Sequence, residues 1–333
     1  MKKLIVFLIS VVAVVSLVAV GCAPTPAAPS TPAAPSTPAA PSTPATPAEE
    51  VIEWVGQPAI PPASPVTEWF QEMAKMVTAA TDGRFKWRVE PTGSICPATK
   101  EFDAVDQGAL DFAASGGSYL KDRFPWGSIH SQRVAGGTPI EMRMWLISGG
   151  GDEMINRFYT EAGYDVYHVP GGGFGGTPEV FAHTNKELKT AADLKGIKMR
   201  CAGDGGAVLA RMGVGAVYMP IGEIFEAMER GTVDAFECSS PTFNWALGLQ
   251  EAAKHLYLYP GRAPYEIYDM MVKKSKWDAL PDTYKVIAEN AANVAATRYY
   301  AKMVASDQES SLVPSTLFQR RRGTTVRLWS GRR

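Results

Sequence analysis

The chain of 333 residues carries 33 Lys and Arg against 34 Asp and Glu, which gives a formal net charge of −1 at pH 7. This balance, with no basic patch in the predicted folded part, excludes the electrostatic pattern of a nucleic-acid-binding protein. The four cysteines include no CxxC pair and no His/Cys group at zinc spacing, so the sequence also argues against a transition-metal site.

The N-terminal residues have the features of a bacterial lipoprotein signal. Two lysines precede an apolar run from Leu4 to Val20, and small residues lead directly to Cys22. The run could begin a membrane anchor, but it is short for a spanning helix, and the small residues at its end favour cleavage. The pattern predicts a signal peptide over residues 1–21, lipid attachment at Cys22, and an extracytoplasmic protein anchored to the membrane.

Residues 22–50 form a linker of almost only Ala, Pro, Ser and Thr, in which Ala-Ala-Pro-Ser-Thr-Pro repeats. Without large apolar side chains such a tract cannot offset the entropy lost on ordering, and its prolines keep it extended. The folded part is therefore predicted to begin near Val51. It holds roughly 260 to 280 residues, enough for one large or two medium domains.

From Val51 onward, strands and helices follow each other closely. The predicted elements are strand Val51–Gly56 (an edge or first strand), helix Val66–Ala80, strand Phe85–Val89, helix Glu101–Gln107, strand Leu110–Ala113, helices Ile140–Ile147 and Glu153–Ala162, and strand Tyr164–Val169. The Val66–Ala80 helix rests on apolar residues at helical spacing, and a glycine at the end of the Glu101–Gln107 helix suits a left-handed cap.

The second half continues this alternation. The predicted elements are strand Gly196–Arg200, a glycine-rich turn and helix through Met212, strand Ala216–Met219, helix Glu223–Arg230, strand Val233–Phe236, helix Leu247–His255, strands Leu256–Tyr259 and Ile267–Val272, and a long helix from Asp282 to about Ser306. Alternating strands and helices favour a parallel sheet, and ligands bind outside the carboxyl ends of its strands. Arg200 and Glu237 both stand at such ends, which makes them candidates for a ligand site.

An internal sequence repeat suggests two lobes of similar structure. The segments Phe102–Asp111 and Phe225–Asp234 match in register, each reading aromatic, Ala, apolar, Gly, apolar, Asp. Chance similarity between two helix-Gly-strand units is the alternative to a structural duplication. We predict an α/β protein built of two lobes. Its first lobe covers residues 51–170 with parts of 265–309, and its second covers 171–264.

Three cysteines follow Cys22, namely Cys96, Cys201 and Cys238. An odd number excludes a full disulfide framework. Cys201 and Cys238 each follow one of the two candidate charged residues, so they are expected to lie near each other. A disulfide between them is possible in an oxidising compartment, but two small buried thiols are the preferred interpretation.

The C-terminal residues 310–333 form an atypical basic tail. Six arginines and no acidic residue occur from Arg320 onward. Such a tail can be a nucleic-acid or membrane patch. Nothing else in the sequence supports that use, and a non-native end such as a reading-frame error is the preferred explanation.

One family shares these motifs. The run Lys198-Met-Arg200…Gly205-Gly206…Met212-Gly-Val…Glu223-Ile-Phe-Glu-Ala-Met-Glu-Arg-Gly-Thr-Val-Asp234…Glu237 resembles the DctP-type solute-binding subunits of TRAP (tripartite ATP-independent periplasmic) transporters. Met144–Gly151, Tyr257-Leu-Tyr-Pro-Gly261 and Lys276-Trp-Asp-Ala-Leu-Pro281 resemble the branch that binds 2-oxo acids and related monocarboxylates. The resemblance covers roughly residues 51–306.

The resemblance implies a two-lobe periplasmic-binding-protein-like fold, with a hinge, a ligand cleft between the two α/β lobes, and a long helix spanning both. It implies a binding protein, not an enzyme, that captures a small organic acid and delivers it to TRAP membrane subunits. Arg200 matches the arginine that grips the substrate carboxylate, and Glu237 matches an acidic residue next to the ligand. We expect the hinge near Pro170 and Gly261, where loops can absorb a rotation.

The resemblance also implies a cation, sodium or calcium, that joins ligand and protein in this branch. A glutamine and the groups around a Glu-Trp pair hold it there. In this chain the glutamine position is assigned to Thr177 and the tryptophan position to Cys238, so Glu237 and the Cys238 carbonyl are the expected metal ligands. Because threonine is short, the metal is uncertain on the residues alone. Phe181 and Phe243, with Phe174 and Trp245, either line the cleft or belong to the core.

Two alternatives remain open on the sequence alone. An extracytoplasmic hydrolase using Glu237 would need a second paired carboxylate, a Ser-His-Asp set or a G-x-S-x-G motif, and none is evident. A receptor that passes ligand occupancy to a sensor protein would have the same sequence features as a transport subunit.

Overall fold

The computed structural model describes residues 51–259, 261–312 and 325–328. The predicted signal peptide, the lipid-attachment residue Cys22, the 22–50 linker and most of the basic tail lie outside these residues. Among the helices that are described, none combines the length and the apolar character needed to cross a membrane.

The first lobe is built on a six-stranded mixed sheet. Its elements are β1 (Ile52–Pro58), α1 (Pro65–Ala80), β2 (Phe85–Val89), α2 (Glu101–Gln107), β3 (Phe112–Gly116), α3 (Gly127–Ser131), α4 (Pro139–Ser148), α5 (Gly151–Glu161), β4 (Val166–His168) and β5 (Phe174–Gly176). β1 pairs in parallel with β2 and β3. The strand predicted as an edge or first strand is the first strand along the described chain, and it lies inside the sheet, not at its edge.

The second lobe carries the other six-stranded sheet. Its elements are β6 (Ala182–Thr184), β7 (Lys198–Arg200), α6 (Gly203–Arg211), β8 (Gly215–Val217), α7 (Ile224–Glu229), β9 (Ala235–Phe236), α8 (Pro241–Ala246) and β10 (His255–Leu258). β7 pairs in parallel with β8 and β9, whereas β6 is antiparallel to β9 and β10. The predicted parallel arrangement thus holds at β7, where the candidate site lies.

The chain then returns to the first lobe and ends at the second sheet. The last elements are β11 (Glu266–Lys273), α9 (Lys274–Asp278), α10 (Asp282–Leu312) and β12 (Thr325–Leu328). β11 pairs antiparallel with β3, β4 and β5. Within the predicted basic tail, β12 pairs in parallel with β10 and so forms an edge strand.

Local chemistry explains where α1 begins and which face it buries. Ser64 caps the helix by accepting a hydrogen bond from the Thr67 N–H, and Pro65 occupies its first turn. Val66, Phe70 and four further apolar side chains at helical spacing are buried. They pack on an aromatic cluster around the β1–β2 pair, in which the Trp54 and Trp87 rings stack with centroids 5.6 Å apart.

The two matching segments of the internal repeat adopt the same local structure. α2 and α7 are each followed by a glycine in the left-handed region. The Asp111 N–H donates to Val55 O, and its Oδ2 accepts from the Val55 N–H, both at 2.8 Å. The Asp234 N–H donates to Lys198 O at 2.7 Å, and its Oδ2 accepts from the Lys198 N–H at 3.0 Å. Each aspartate therefore fastens its segment to the neighbouring strand in the same way.

Two crossing segments and one helix connect the lobes. Because β5 pairs with β11 of the first sheet, the outgoing crossing begins after Gly176, and the predicted lobe boundary at 170–171 falls inside the first lobe. The return crossing leads from β10 to β11 and contains Gly261, as predicted. On α10, Lys302 Nζ contacts Glu68 of α1 at 2.6 Å, while Asp307 Oδ1 accepts from the Thr242 N–H of α8 at 2.8 Å. The long helix therefore contacts both lobes, as expected.

The predicted helix at Leu247–His255 is wrong. α8 begins earlier because Pro241 occupies its first turn, and it ends before Gly248, which adopts a φ of +70°. A short 3₁₀ turn, Leu249–Ala252, follows, and β10 begins at His255.

Candidate functional site

The sheet brings Arg200 and Glu237 together. β7 ends at Arg200 and β9 ends at Phe236, and these two residues are direct partners in the parallel pair. The next residue, Glu237, donates its N–H to Arg200 O at 3.1 Å. Only 2% of Arg200 and none of Glu237 is exposed. The prediction that strand ends place these two side chains at one edge is confirmed.

The Arg200 guanidinium is held by the protein on one side. Its Nε donates to Met219 O at 3.1 Å, and its Nη1 donates to Glu237 O at 2.9 Å and lies 3.5 Å from Glu237 Oε1. Within the described residues its Nη2 makes no hydrogen bond, which leaves donors for an acceptor outside the protein. Burial alone would lower the pKa of Arg200, but the negative charge of Glu237 outweighs it and raises that pKa.

The Glu237 carboxylate is contacted at both oxygens. Oε1 accepts from the Ala202 N–H in a short hydrogen bond, at the start of α6. Oε2 lies 2.8 Å from Nη1 of Arg262, an ion pair in which the N–H is not aligned with the oxygen. Nη2 of Arg262 pairs in turn with Glu179 Oε2. The site thus contains a second buried arginine and a second buried glutamate, neither of which the sequence analysis singled out.

A cavity of about 260 Å³ opens beside this cluster. Its lining combines Tyr119 from the first lobe with Ala202, Gly203 and Tyr218 from the second. The Tyr119 and Tyr218 ring centroids are 6.1 Å apart, and Cζ of Arg200 lies 5.8 Å from the Tyr218 centroid. The cavity is therefore an interlobe cleft. Arg200 does not line it, but Cys201 and Tyr218, which lie beside Arg200, do. Another cavity, of about 620 Å³, lies around Arg133, Trp145 and Tyr265 and contains none of the predicted site residues.

The other predicted site residues lie apart from Arg200 or serve the core. The Thr177 hydroxyl forms a short hydrogen bond with Asp307 Oδ2 of α10, not with Glu237. Phe181 and Phe243 are buried in the hydrophobic core, 6% and 0% exposed, and do not line the 260 Å³ cavity. Cys238 follows Glu237 and is buried, with its carbonyl accepting from Asn244 Nδ2 at 3.2 Å.

The thiol interpretation of the cysteines is confirmed for the described residues, in which Cys96, Cys201 and Cys238 form no disulfide. Burial raises the pKa of the Cys201 thiol to about 12 and that of Cys238 well above its usual value. Both thiols are therefore protonated at neutral pH and chemically inert.

The expected metal ligands already have protein partners among the described residues. Glu237 Oε1 accepts from the Ala202 N–H and its Oε2 lies 2.8 Å from Nη1 of Arg262, while the Cys238 carbonyl accepts from Asn244 and the Thr177 hydroxyl is hydrogen-bonded to Asp307. Across the described part of the chain, no group of three or more His, Cys, Asp and Glu side chains is placed to hold a metal ion.

Two histidines that are far apart in the sequence, His130 and His168, lie close together in the first lobe, where both contact Asp269. His130 Nε2 and Asp269 Oδ2 are 2.8 Å apart, as are His168 Nε2 and Asp152 Oδ1. Burial would lower the pKa of His168, but the hydrogen bond and charge of Asp152 raise it overall. This buried network ties α3, α5, β4 and β11 together and lies outside the interlobe cavity.

Comparison with known proteins agrees with this architecture. The family model described as bacterial extracellular solute-binding protein, family 7 (DctP) matches residues 56–313. A monocarboxylate 2-oxoacid-binding periplasmic protein of Nostoc sp. is 34% identical over 222 residues. That match covers 66% of this chain and 60% of the relative, so the chain spans less than two thirds of that protein's length.

Two solved structures of TRAP solute-binding proteins are similar over most of the chain. The protein from Bordetella bronchiseptica, described with copurified calcium and picolinate, is 26% identical with a TM-score of 0.77, covering 84% of this chain and 81% of that one. The protein from Pseudoalteromonas atlantica, described with bound sodium and pyruvate, is 25% identical with a TM-score of 0.77, covering 84% and 83%.

Proposed function

We propose, from the premise that this chain belongs to family 7 of the bacterial extracellular solute-binding proteins, that it captures a small organic acid and delivers it to a TRAP-type membrane transporter. The observation that carries the proposal is the Arg200 guanidinium. It is 2% exposed, lies next to Cys201 and Tyr218, which line the 260 Å³ cavity, and keeps Nη2 unbonded within the described residues. A planar guanidinium at a desolvated site suits a carboxylate, which it can grip through two donors.

The ligand class that we propose is a 2-oxo acid or a related monocarboxylate. The Nostoc relative is named for such acids, and the two solved relatives are described with picolinate and pyruvate. A cavity of about 260 Å³ is suited to acids of that size. Its walls come from both lobes, so a bound acid would be enclosed when the lobes close about the two crossing segments and α10.

A hydrolase is less well supported than a binding protein. The candidate general base, Glu237, has no exposed surface, and both of its oxygens already contact donors. The solved relatives are described as transport solute-binding proteins. Lipid attachment at Cys22, outside the described residues, belongs to this proposal as the means of holding the protein at the membrane near its transporter.

A melting-temperature screen tests the proposal, because a ligand that binds the native state raises its stability. Pyruvate, other 2-oxo acids and picolinate should raise the melting temperature, whereas neutral sugars and amino acids should not. A shift produced only by a neutral sugar would contradict the carboxylate assignment.

A further inference from the structure

Arg262 is a second buried arginine at the site. It lies in the return crossing from β10 to β11, and 4% of the residue is exposed. Its Nη1 is 2.8 Å from Glu237 Oε2, and its Nη2 forms an ion pair with Glu179 Oε2. Its Nε and Nη2 also donate to Val180 O at 3.3 and 3.2 Å. The guanidinium is therefore fixed between two buried carboxylates that come from different segments of the chain.

This is the place where the resemblance expects a metal ion, beside Glu237 and the Cys238 carbonyl. A metal ion there would share the Glu237 carboxylate with Arg262, whose guanidinium cannot lose its proton. Two unit positive charges 4 Å apart repel by about 4 kcal/mol at an effective dielectric constant of 20, and a divalent ion roughly doubles that cost. Arg262 and a metal ion therefore compete for the same carboxylate.

Arg262 adds a second guanidinium to the cluster, beside that of Arg200. Nη1 of Arg200 lies 3.5 Å from Glu237 Oε1, and Nη1 of Arg262 lies 2.8 Å from Glu237 Oε2. The positive charge that a metal ion would bring beside Glu237 is therefore already supplied by protein side chains.

We propose that the guanidinium of Arg262 takes the place of the metal ion, so that this protein binds its organic acid without a bound cation. The inference rests on the proposed function, since it concerns the ligand of the same cleft. Arg200 is the residue that contacts the acid. Arg262 is a positioning residue that acts through Glu237, and Glu179 and Val180 hold its guanidinium in place.

The first test is calorimetric titration of the wild-type protein with pyruvate and with picolinate. The titrations are run in chelator-treated, sodium-free buffer and repeated with added calcium or sodium. The dissociation constants should change by less than about threefold between buffers, or roughly 0.6 kcal/mol. A loss of about tenfold or more on removal of cations, reversed by either cation, would overturn the inference and leave the proposed function intact. Failure of both acids to bind in every buffer would overturn both.

The second test uses Arg262→Ala and calcium alone as the titrant. Wild-type protein should not bind calcium, whereas the variant leaves the Glu179 and Glu237 carboxylates without their guanidinium and should bind it. The variant should also bind pyruvate more weakly in cation-free buffer, by about 30-fold or more, and calcium should restore part of the loss. Arg230→Ala is the matched control, because Arg230 is an exposed arginine of the same lobe that pairs with Glu226.

A structural role for Arg262 alone would give a different pattern. Arg262→Ala would then lower the melting temperature without any new response to calcium, and that result would overturn the inference. If Arg262→Ala does not fold, Arg262→Lys retains a cation between the same carboxylates and should bind pyruvate independently of calcium. An Arg262→Lys protein that requires calcium would count against the proposal.

Discussion

Replacement of Arg200 by alanine should weaken binding of the organic acid and leave the protein folded. Loss of one member of a desolvated charge pair typically costs about 2–5 kcal/mol, which corresponds to roughly 30-fold to several-thousand-fold in the dissociation constant. The same change removes the donors to Met219 O and to Glu237 O. Because Glu237 keeps its contact with Arg262 at 2.8 Å, its charge does not become unpaired.

The stability cost of Arg200→Ala follows from these contacts. Two buried carbonyl groups lose a donor, at about 1–3 kcal/mol each, while the Glu237 carboxylate retains Arg262 and the Ala202 N–H. We expect the free energy of unfolding to fall by about 2–6 kcal/mol, against the roughly 5–15 kcal/mol that stabilises a typical domain.

The variant Arg200→Lys distinguishes the effect of the positive charge at this position from the effect of the planar guanidinium geometry. Lysine keeps the positive charge, but a single ammonium cannot reach Met219 O and Glu237 O and also hold a carboxylate through two parallel donors. Its affinity should fall between those of the wild type and Arg200→Ala.

Isothermal titration calorimetry with pyruvate at 25 °C measures the three affinities, and circular dichroism checks that each variant is folded. Arg230→Ala, on an exposed ion pair, should bind as the wild type does. If the folded Arg200→Ala variant binds pyruvate with a dissociation constant within about threefold of the wild-type value, Arg200 does not bind the carboxylate and the reasoning is refuted.

Three further predictions concern stability, anchoring and closure. Burial raises the pKa of Glu101 from 4.5 to about 7, so the folded state retains a proton that the unfolded chain has released. The free energy of unfolding should therefore decrease by about 3 kcal/mol as pH rises from 4.5 to 7. Glu101→Gln should reduce the dependence of the free energy of unfolding on pH, measured by urea titrations at several pH values. The same pH dependence in the variant as in the wild type would refute the assignment to Glu101. Cys22→Ser should release the protein from the membrane fraction, unless the lipoprotein signal is misread. Small-angle scattering should show a smaller radius of gyration at saturating pyruvate, whereas an unchanged radius would count against lobe closure.

The regular part of the fold was predictable because its causes are local. The helical spacing of Val66, Phe70 and Met73 predicts α1, and the echoed aspartates predict two similar units. Asp111 and Asp234 then make the same hydrogen bonds to Val55 and Lys198. Arg200 and Glu237 were found for a related reason, since each ends a strand and parallel strands end at one edge.

The rest of the site depends on contacts between segments that have no periodic pattern. Glu179 and Arg262 lie in the two crossing segments, about 80 residues apart, with Nη2 of Arg262 paired to Glu179 Oε2. Neither has a neighbour in sequence that marks it as buried. The same reason explains Thr177, whose hydroxyl partner is Asp307 on the distant α10 helix. The lobe boundary was misjudged because the pairing of the short β5 strand with β11 is set by the tertiary fold.

A crystal structure of the protein with pyruvate, grown without added metal, tests the central claim most directly. The account predicts a carboxylate in the 260 Å³ cavity, with an oxygen within about 3 Å of the Arg200 guanidinium. It also predicts that the Arg262 guanidinium, not a metal ion, lies against Glu237. Pyruvate bound away from Arg200, in the cavity around Arg133 and Trp145 for example, would contradict the account.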